Sequence, residues 1–228
     1  MSAELTEEPA RPDRLLTLPG VYAPQHDTRL LIAALDREEI GSGTDVLDLG
    51  TGSGALALHV ARLGARVTAV DIARRAVLTA RLNALLHRRR VTVQRSDLLA
   101  ALPGRSYDLV ICNPPYVPSP VGRLPGRGPA RAWDAGCDGR AVLDRVCGAA
   151  PAALRPGGLL LMVHSGLCDS DVTLRRLSDA GLHARVSDRA RVPLGPVLRS
   201  RLRWLRESGL VDRSETTEEL VVIRAERP

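Results

Sequence analysis

Short apolar runs alternate with helix-patterned segments along most of this chain, and that rhythm restricts the fold to one class. Residues 45–49, 66–70, 91–94, 107–112 and 158–164 each have the length and apolar content of a buried strand. Residues 55–63, 74–87, 139–154 and 169–180 carry apolar side chains at helical spacing, the third closed by Pro156-Gly157-Gly158. A helix over 27–40 precedes the first strand. The tail reads as a strand over 183–186, a helix over 196–207 and a strand over 219–225. Strands that alternate with helices specify an α/β fold, a mostly parallel sheet with helices on both faces. With 228 residues and 44% hydrophobic content, the chain can build one such core. Aromatics make up 2% and Phe is absent, so Leu, Val and Ala must fill it. Residues 1–17 are polar and Pro-bearing and are expected to form a disordered tail before a single domain over 18–228.

Right-handed crossovers gather the strand C-termini at one edge, where such sheets bind ligands. Two unusual turns fall just past strand ends. Asp48-Leu49-Gly50-Thr51-Gly52-Ser53-Gly54 has the spacing D-x-G-x-G-x-G, in which glycines let the backbone approach a ligand closely. It lacks the G-x-G-x-x-G of dinucleotide enzymes, which argues against a nicotinamide oxidoreductase. An amino-acid ammonium beside Asp48, with its carboxylate near the N–H groups of the following helix, suits this loop. Asp71 ends the next strand, about 20 residues after the glycine loop, where an acid can take both hydroxyls of a ribose. Asp97 follows the third strand and can accept from an adenine amino group.

The second turn is Asn113-Pro114-Pro115-Tyr116. The Asn side-chain carbonyl and the Pro114 backbone carbonyl can accept both hydrogens of one planar NH2 group. The two prolines stiffen the turn, and Tyr116 can cover the flat face of the group that carries the NH2. Residues 117–138 then form a long Pro-, Gly- and Arg-rich stretch, read as a substrate-facing loop.

These features in this order resemble the class I S-adenosylmethionine-dependent methyltransferases. Tyr22-Ala23-Pro24-Gln25-His26-Asp27-Thr28, Gly136-Cys137-Asp138-Gly139-Arg140 and the Asn-Pro-Pro-Tyr turn are similar to segments of the HemK/PrmC family of protein glutamine methyltransferases, in its compact branch without an N-terminal helical domain. The resemblance implies a Rossmann-like, mostly parallel seven-stranded sheet. It implies S-adenosylmethionine as methyl donor, held by Thr28, Asp48, Gly50, Thr51, Gly52, Gly54, Asp71, Ile72, Asp97, Leu98 and Asn113. It places catalysis on Asn113, Pro114, Pro115 and Tyr116. The implied acceptor is a glutamine side-chain amide in the Gly-Gly-Gln loop of a translation release factor, and the implied partner is a small activator subunit. The same turn also serves exocyclic amino groups of adenine or guanine, so RNA, DNA or a small molecule stays open as acceptor.

The net charge is +6 and every basic side chain other than His is Arg, which favours acidic partners including RNA. Cys112, Cys137, Cys147 and Cys168 have neither metal-ligand spacing nor the density of a disulfide framework, so no metal is expected and a reducing cytoplasm is. The run 159–163 is too short to span a bilayer. His26 is a candidate for the donor pocket, and Trp133 for shielding the acceptor.

Overall fold

The computed structural model describes residues 15–98, 100 and 104–228. Five strands run parallel: β1 (Asp45–Leu49), β2 (Arg66–Asp71), β3 (Val91–Arg95), β4 (Tyr107–Cys112) and β5 (Leu154–Ser165). β7 (Thr217–Glu226) pairs antiparallel with β5 and with β6 (His183–Pro193). The seven strands lie in the order β3-β2-β1-β4-β5-β7-β6. The order reverses between β1 and β4, and there the C-terminal ends of the strands leave a crevice.

Successive strand residues face opposite ways, and that alternation separates two cores. Val46, Leu109, Ile111 and Leu161 meet α1 (His26–Leu35), α2 (Ala55–Arg62) and α3 (Arg74–Leu86) on one face. Leu47, Val110, Leu160 and Met162 meet α4 (Leu143–Ala153) and α5 (Ser170–Asp179) on the other. A third, smaller cluster around Leu194, Leu198, Leu205 and Val211 holds α6 (Pro196–Ser200) and α7 (Leu202–Glu207), with Trp204 packed on it.

Three expectations need correction. Helix α4 starts at Leu143, not at 139, because Gly139 takes a left-handed φ of 71°. It also ends before the Pro156-Gly157-Gly158 turn: Leu154 is already extended, and the turn is a kink inside β5 that pairs with Arg227 at both ends. The segment 196–207 is two helices broken at Arg201 (φ −105°, ψ 5°), whose side chain reaches the Pro118 carbonyl at 2.9 Å and Asp134 at 2.6 Å. Residues 117–138 are also not structureless. Val117 pairs with Asp134 as a parallel bridge, and Pro129–Ala132 form a short 3-10 helix.

Of the expected tail, residues 1–14 lie outside the described residues. Leu16, next along, is held by one buried side chain. Asn83 of α3 accepts from the Leu16 N–H and donates to its carbonyl, both at 2.9 Å, and donates to the Ser53 carbonyl of the glycine loop at 2.8 Å. Asn83 has no solvent exposure, so removing it strands several polar groups. Asn83→Ala is expected to lower the unfolding free energy by about 2–4 kcal/mol, read from urea denaturation.

Candidate active site

The crevice between β1 and β4 holds a cavity of about 230 Å³. Gly50 and Gly52 form its floor with positive φ of 73° and 56°. A Cβ at Gly50 would meet nothing within 4 Å, so the absence of a side chain leaves space against the backbone. The loop is anchored on β2, where the Val70 carbonyl accepts from the N–H groups of Gly50 and Thr51 at 2.9 and 3.0 Å. Asp71 lines the cavity and also braces the loop, accepting from the Gly52 N–H at 3.0 Å and the Ala73 N–H at 2.8 Å. Burial raises its carboxyl above the usual range, and those N–H groups oppose the rise.

Of the residues expected to hold the donor, Thr28, Gly50, Thr51, Gly52, Asp71, Ile72, Asp97, Leu98 and Asn113 all line this cavity. So do Pro114, Pro115 and Tyr116. Asp97 is half exposed and paired to Arg145 at 2.7 Å. Two expected residues lie elsewhere. Gly54 begins α2 with φ 87°, and a Cβ there would sit 3.2 Å from Ala80, so its smallness serves the packing of α2 on α3. Asp48 is fully buried beneath the loop and takes the Thr51 hydroxyl at 2.6 Å. It supports the loop from below through the Thr51 hydroxyl. His26 lines a neighbouring cavity rather than this one, and Trp133 lines both.

Sequence reasoning passed over Asp27 as a site residue, although it sits inside the Pro24–Thr28 segment. It is 3% exposed and receives four donors. Oδ1 accepts the Thr28 N–H at 2.6 Å and the Thr28 hydroxyl at 3.2 Å. Oδ2 accepts the hydroxyls of Tyr22 at 2.7 Å and Tyr116 at 3.0 Å. Burial, reinforced by the Asp27 charge, raises both tyrosines, so both stay phenols. The Thr28 hydroxyl uses its hydrogen on Asp27 and can only accept from its other neighbour. That neighbour is Asn113, whose Nδ2 lies 3.4 Å away. The amide is thereby oriented: its NH2 faces Thr28, and Oδ1 is left without a protein partner among the described residues.

The back of the Asn-Pro-Pro-Tyr turn is fixed from the other side. The Tyr116 carbonyl accepts from Cys168 Sγ at 3.1 Å. A Cβ on Gly139 would lie 2.4 Å from that carbonyl oxygen. This close approach is the physical reason for a glycine in the Gly136–Arg140 segment. Arg140, 6% exposed, bonds Asp144 at 2.8 Å, the Asp169 carbonyl at 3.0 Å and also the Cys168 carbonyl. Beyond Tyr116 lies the second cavity, of about 240 Å³, whose walls include Tyr22, Asp27, Trp133, Leu198 and Glu218.

Residues 13–120 match the family profile described as Methyltransferase small domain. A putative protein N5-glutamine methyltransferase of Methanocaldococcus jannaschii is 33% identical over 176 residues, 77% of this chain and 87% of that protein. The chain belongs to the HemK/PrmC methyltransferase family. The release factor glutamine methyltransferase of Bordetella pertussis is 40% identical over 174 residues, 72% of this chain but 63% of that protein. Among solved structures, Mtq2 of the E. cuniculi Mtq2–Trm112 complex superposes with a TM-score of 0.64 at 24% identity, covering 92% of this chain and 99% of Mtq2. At that identity the likeness carries the fold. The enzyme is thus an S-adenosylmethionine-dependent methyltransferase with the class I sheet. The cavity has features that suit such a donor: a side-chain-free floor at Gly50 and Gly52, the carboxyl of Asp71, and apolar walls at Ile72 and Leu98.

Asp27→Ala leaves two buried phenol hydroxyls without their acceptor, and is expected to cost about 2–4 kcal/mol of stability by chemical denaturation. Burial raises the Asp48 carboxyl from 3.8 to about 7, and the Glu218 carboxyl from 4.5 to about 7. Each proton is held more tightly in the folded than in the unfolded chain, so its contribution is complete below about pH 4 and is lost as pH rises through 7. Stability is therefore expected to fall across that window. Asp48→Asn should flatten the fall, by on the order of 3 kcal/mol, in denaturation curves taken from pH 4 to 8.

Proposed function

We propose that the enzyme transfers the donor methyl group to the side-chain amide nitrogen of a protein glutamine, with the Gly-Gly-Gln loop of a translation release factor as acceptor. Residues 18–228 act as one catalytic domain in this reading, and the enzyme works in the cytoplasm. The observation that carries it is the imposed orientation of Asn113. With Nδ2 committed to Thr28 at 3.4 Å, Oδ1 can take one hydrogen of the acceptor amide while the adjacent Pro114 carbonyl takes the other.

An amide nitrogen is a weak nucleophile because its lone pair is delocalised. S-adenosylmethionine, when bound, supplies an electrophilic methyl on a sulfonium. Asn113 and Pro114 hold the nitrogen in line with it, and such positioning can be worth several kcal/mol, up to about 7–11. Both carbonyl oxygens also stabilise the positive charge that develops on nitrogen. The proton becomes acidic only as the C–N bond forms, so no strong base is required beforehand. Tyr116, pinned through its hydroxyl to Asp27, keeps its ring fixed beside the acceptor plane.

The second cavity supports a protein over a nucleic acid. Among the described residues its walls carry the carboxyls of Asp27 and Glu218 but no arginine. A phosphate backbone entering there would meet the Asp27 carboxylate and no arginine to pair with. Arg131 and Arg145 line the first cavity, and with the arginine-rich exterior they keep an RNA contact open.

A small activator subunit also has a place. On α3, Leu78, Leu85 and Leu86 are 51%, 75% and 66% exposed, and α3 packs beside β3, an edge strand of the sheet. An apolar helix face next to an unpaired strand suits a compact partner that adds to the sheet. No helix among the described residues is long and apolar enough to cross a membrane.

Asn113→Ala is expected to abolish methylation while leaving donor affinity within about threefold. Labelled S-adenosylmethionine and calorimetry read the two quantities. Treating the labelled product with protease or nuclease identifies the acceptor class. A mutant with most of its turnover, or label released only by nuclease, would overturn the reading.

A further inference from the structure

The transfer chemistry leaves one buried carboxyl unused. Glu218, at the start of β7 opposite Val192 of β6, is 8% exposed, and its Oε2 has no hydrogen-bond partner among the described residues. It lines the second cavity beside Tyr22, Asp27 and Tyr116. The Ser165 hydroxyl and the Gly195 N–H favour its charged form, but burial outweighs them and the Asp27 charge adds to the burial effect. A buried acceptor without a donor is costly. Val192, Leu198 and Leu220 make part of the surrounding wall apolar, and of the donors in it, among them Gln25, His26 and Trp133, none bonds Oε2. A donor entering the cavity would complete the arrangement at Oε2.

What enters is limited by the geometry. Asn113 and Pro114 claim both hydrogens of the acceptor amide in the first cavity, and Tyr116 separates that cavity from the second. Asp27, Tyr116 and Trp133 line both cavities, so the second is the space adjoining a side chain held at Asn113. A chain segment of small residues fits a space of about 240 Å³, and its backbone N–H is a donor that every non-proline residue carries.

We propose that the second cavity is the port for the acceptor peptide, and that Glu218 is a positioning residue there, its Oε2 accepting the backbone N–H of a residue flanking the target glutamine. This rests on the reading of the acceptor as a protein glutamine. It assigns Glu218 to recognition, with no role in moving the methyl group.

The test uses a short Gly-Gly-Gln peptide, labelled S-adenosylmethionine and three forms of the full chain: wild type, Glu218→Met and Glu218→Gln. Glu218→Met is expected to raise the KM for peptide about tenfold or more, with kcat at saturating peptide and affinity for S-adenosylhomocysteine within about twofold. Glu218→Gln, which keeps an acceptor oxygen, should recover part of the loss. Two further peptides carry an N-methylated backbone amide on one or the other side of the glutamine. One of them should raise the KM of the wild type and leave that of Glu218→Met unchanged. Thermal unfolding of each variant reports whether the fold is retained. A Glu218→Met enzyme with wild-type peptide KM, a joint loss of donor affinity, or N-methylation that affects both enzymes equally overturns the role of Glu218 alone. A wild type that neither binds nor methylates the peptide overturns the glutamine reading and this inference with it.

Discussion

The geometry of the candidate active site depends on how one buried carboxylate is satisfied. Asp27 sits at the start of α1 and collects the Thr28 N–H and hydroxyl and the hydroxyls of Tyr22 and Tyr116. No cation approaches it in that set; four neutral donors share the negative charge. Each of those donors is thereby deprived of rotational freedom. Thr28 becomes an acceptor, Asn113 is forced into one of its two amide orientations, and the Tyr116 ring is anchored by its far end. A reaction that depends on two carbonyls facing one NH2 group needs such fixing, because an amide free to flip would present a donor half of the time.

The parallel part of the sheet was legible in the sequence. Strands β1 and β4 fall at the expected bounds, since a strand buried on both faces is mostly apolar and is bordered by polar turns. β6 was read as much shorter than it is. As an edge strand it has one buried residue and carries Arg185, Asp188, Arg189 and Arg191, and apolar periodicity is silent about a strand with little to bury. The break at Arg201 was illegible for a different reason. It answers to Pro118 and Asp134, more than 60 residues away in the chain, and local pattern holds no record of such partners.

In the site, the motifs and the family resemblance together named nine expected donor-side residues that the fold gathers around one cavity. Asp48 and Gly54 showed the limit of that method. Spacing identifies a loop, but which side chains face the ligand and which face the core depends on the path of the backbone. Gly139 shows the converse. Its sequence neighbourhood resembled a family segment without revealing a cause, and the cause is the carbonyl oxygen of Tyr116 lying where a side chain would start. Glu218 left no trace in the sequence, because a glutamate beside a second glutamate near the C-terminus looks like solvated surface.

The triple bond set of Asn83 ties together parts of the chain that the sequence keeps far apart. One amide holds the entering chain at Leu16 and the glycine loop at Ser53, while Arg75 of the same helix holds the Pro19 carbonyl at 3.0 Å. The segment that leads to Tyr22 and Asp27 is thus moored on the helix that braces the donor loop. Any ligand that steadies the loop steadies this mooring as well, and the reverse holds with equal energy. The glycine loop and the segment leading to Asp27 thus share one support in α3.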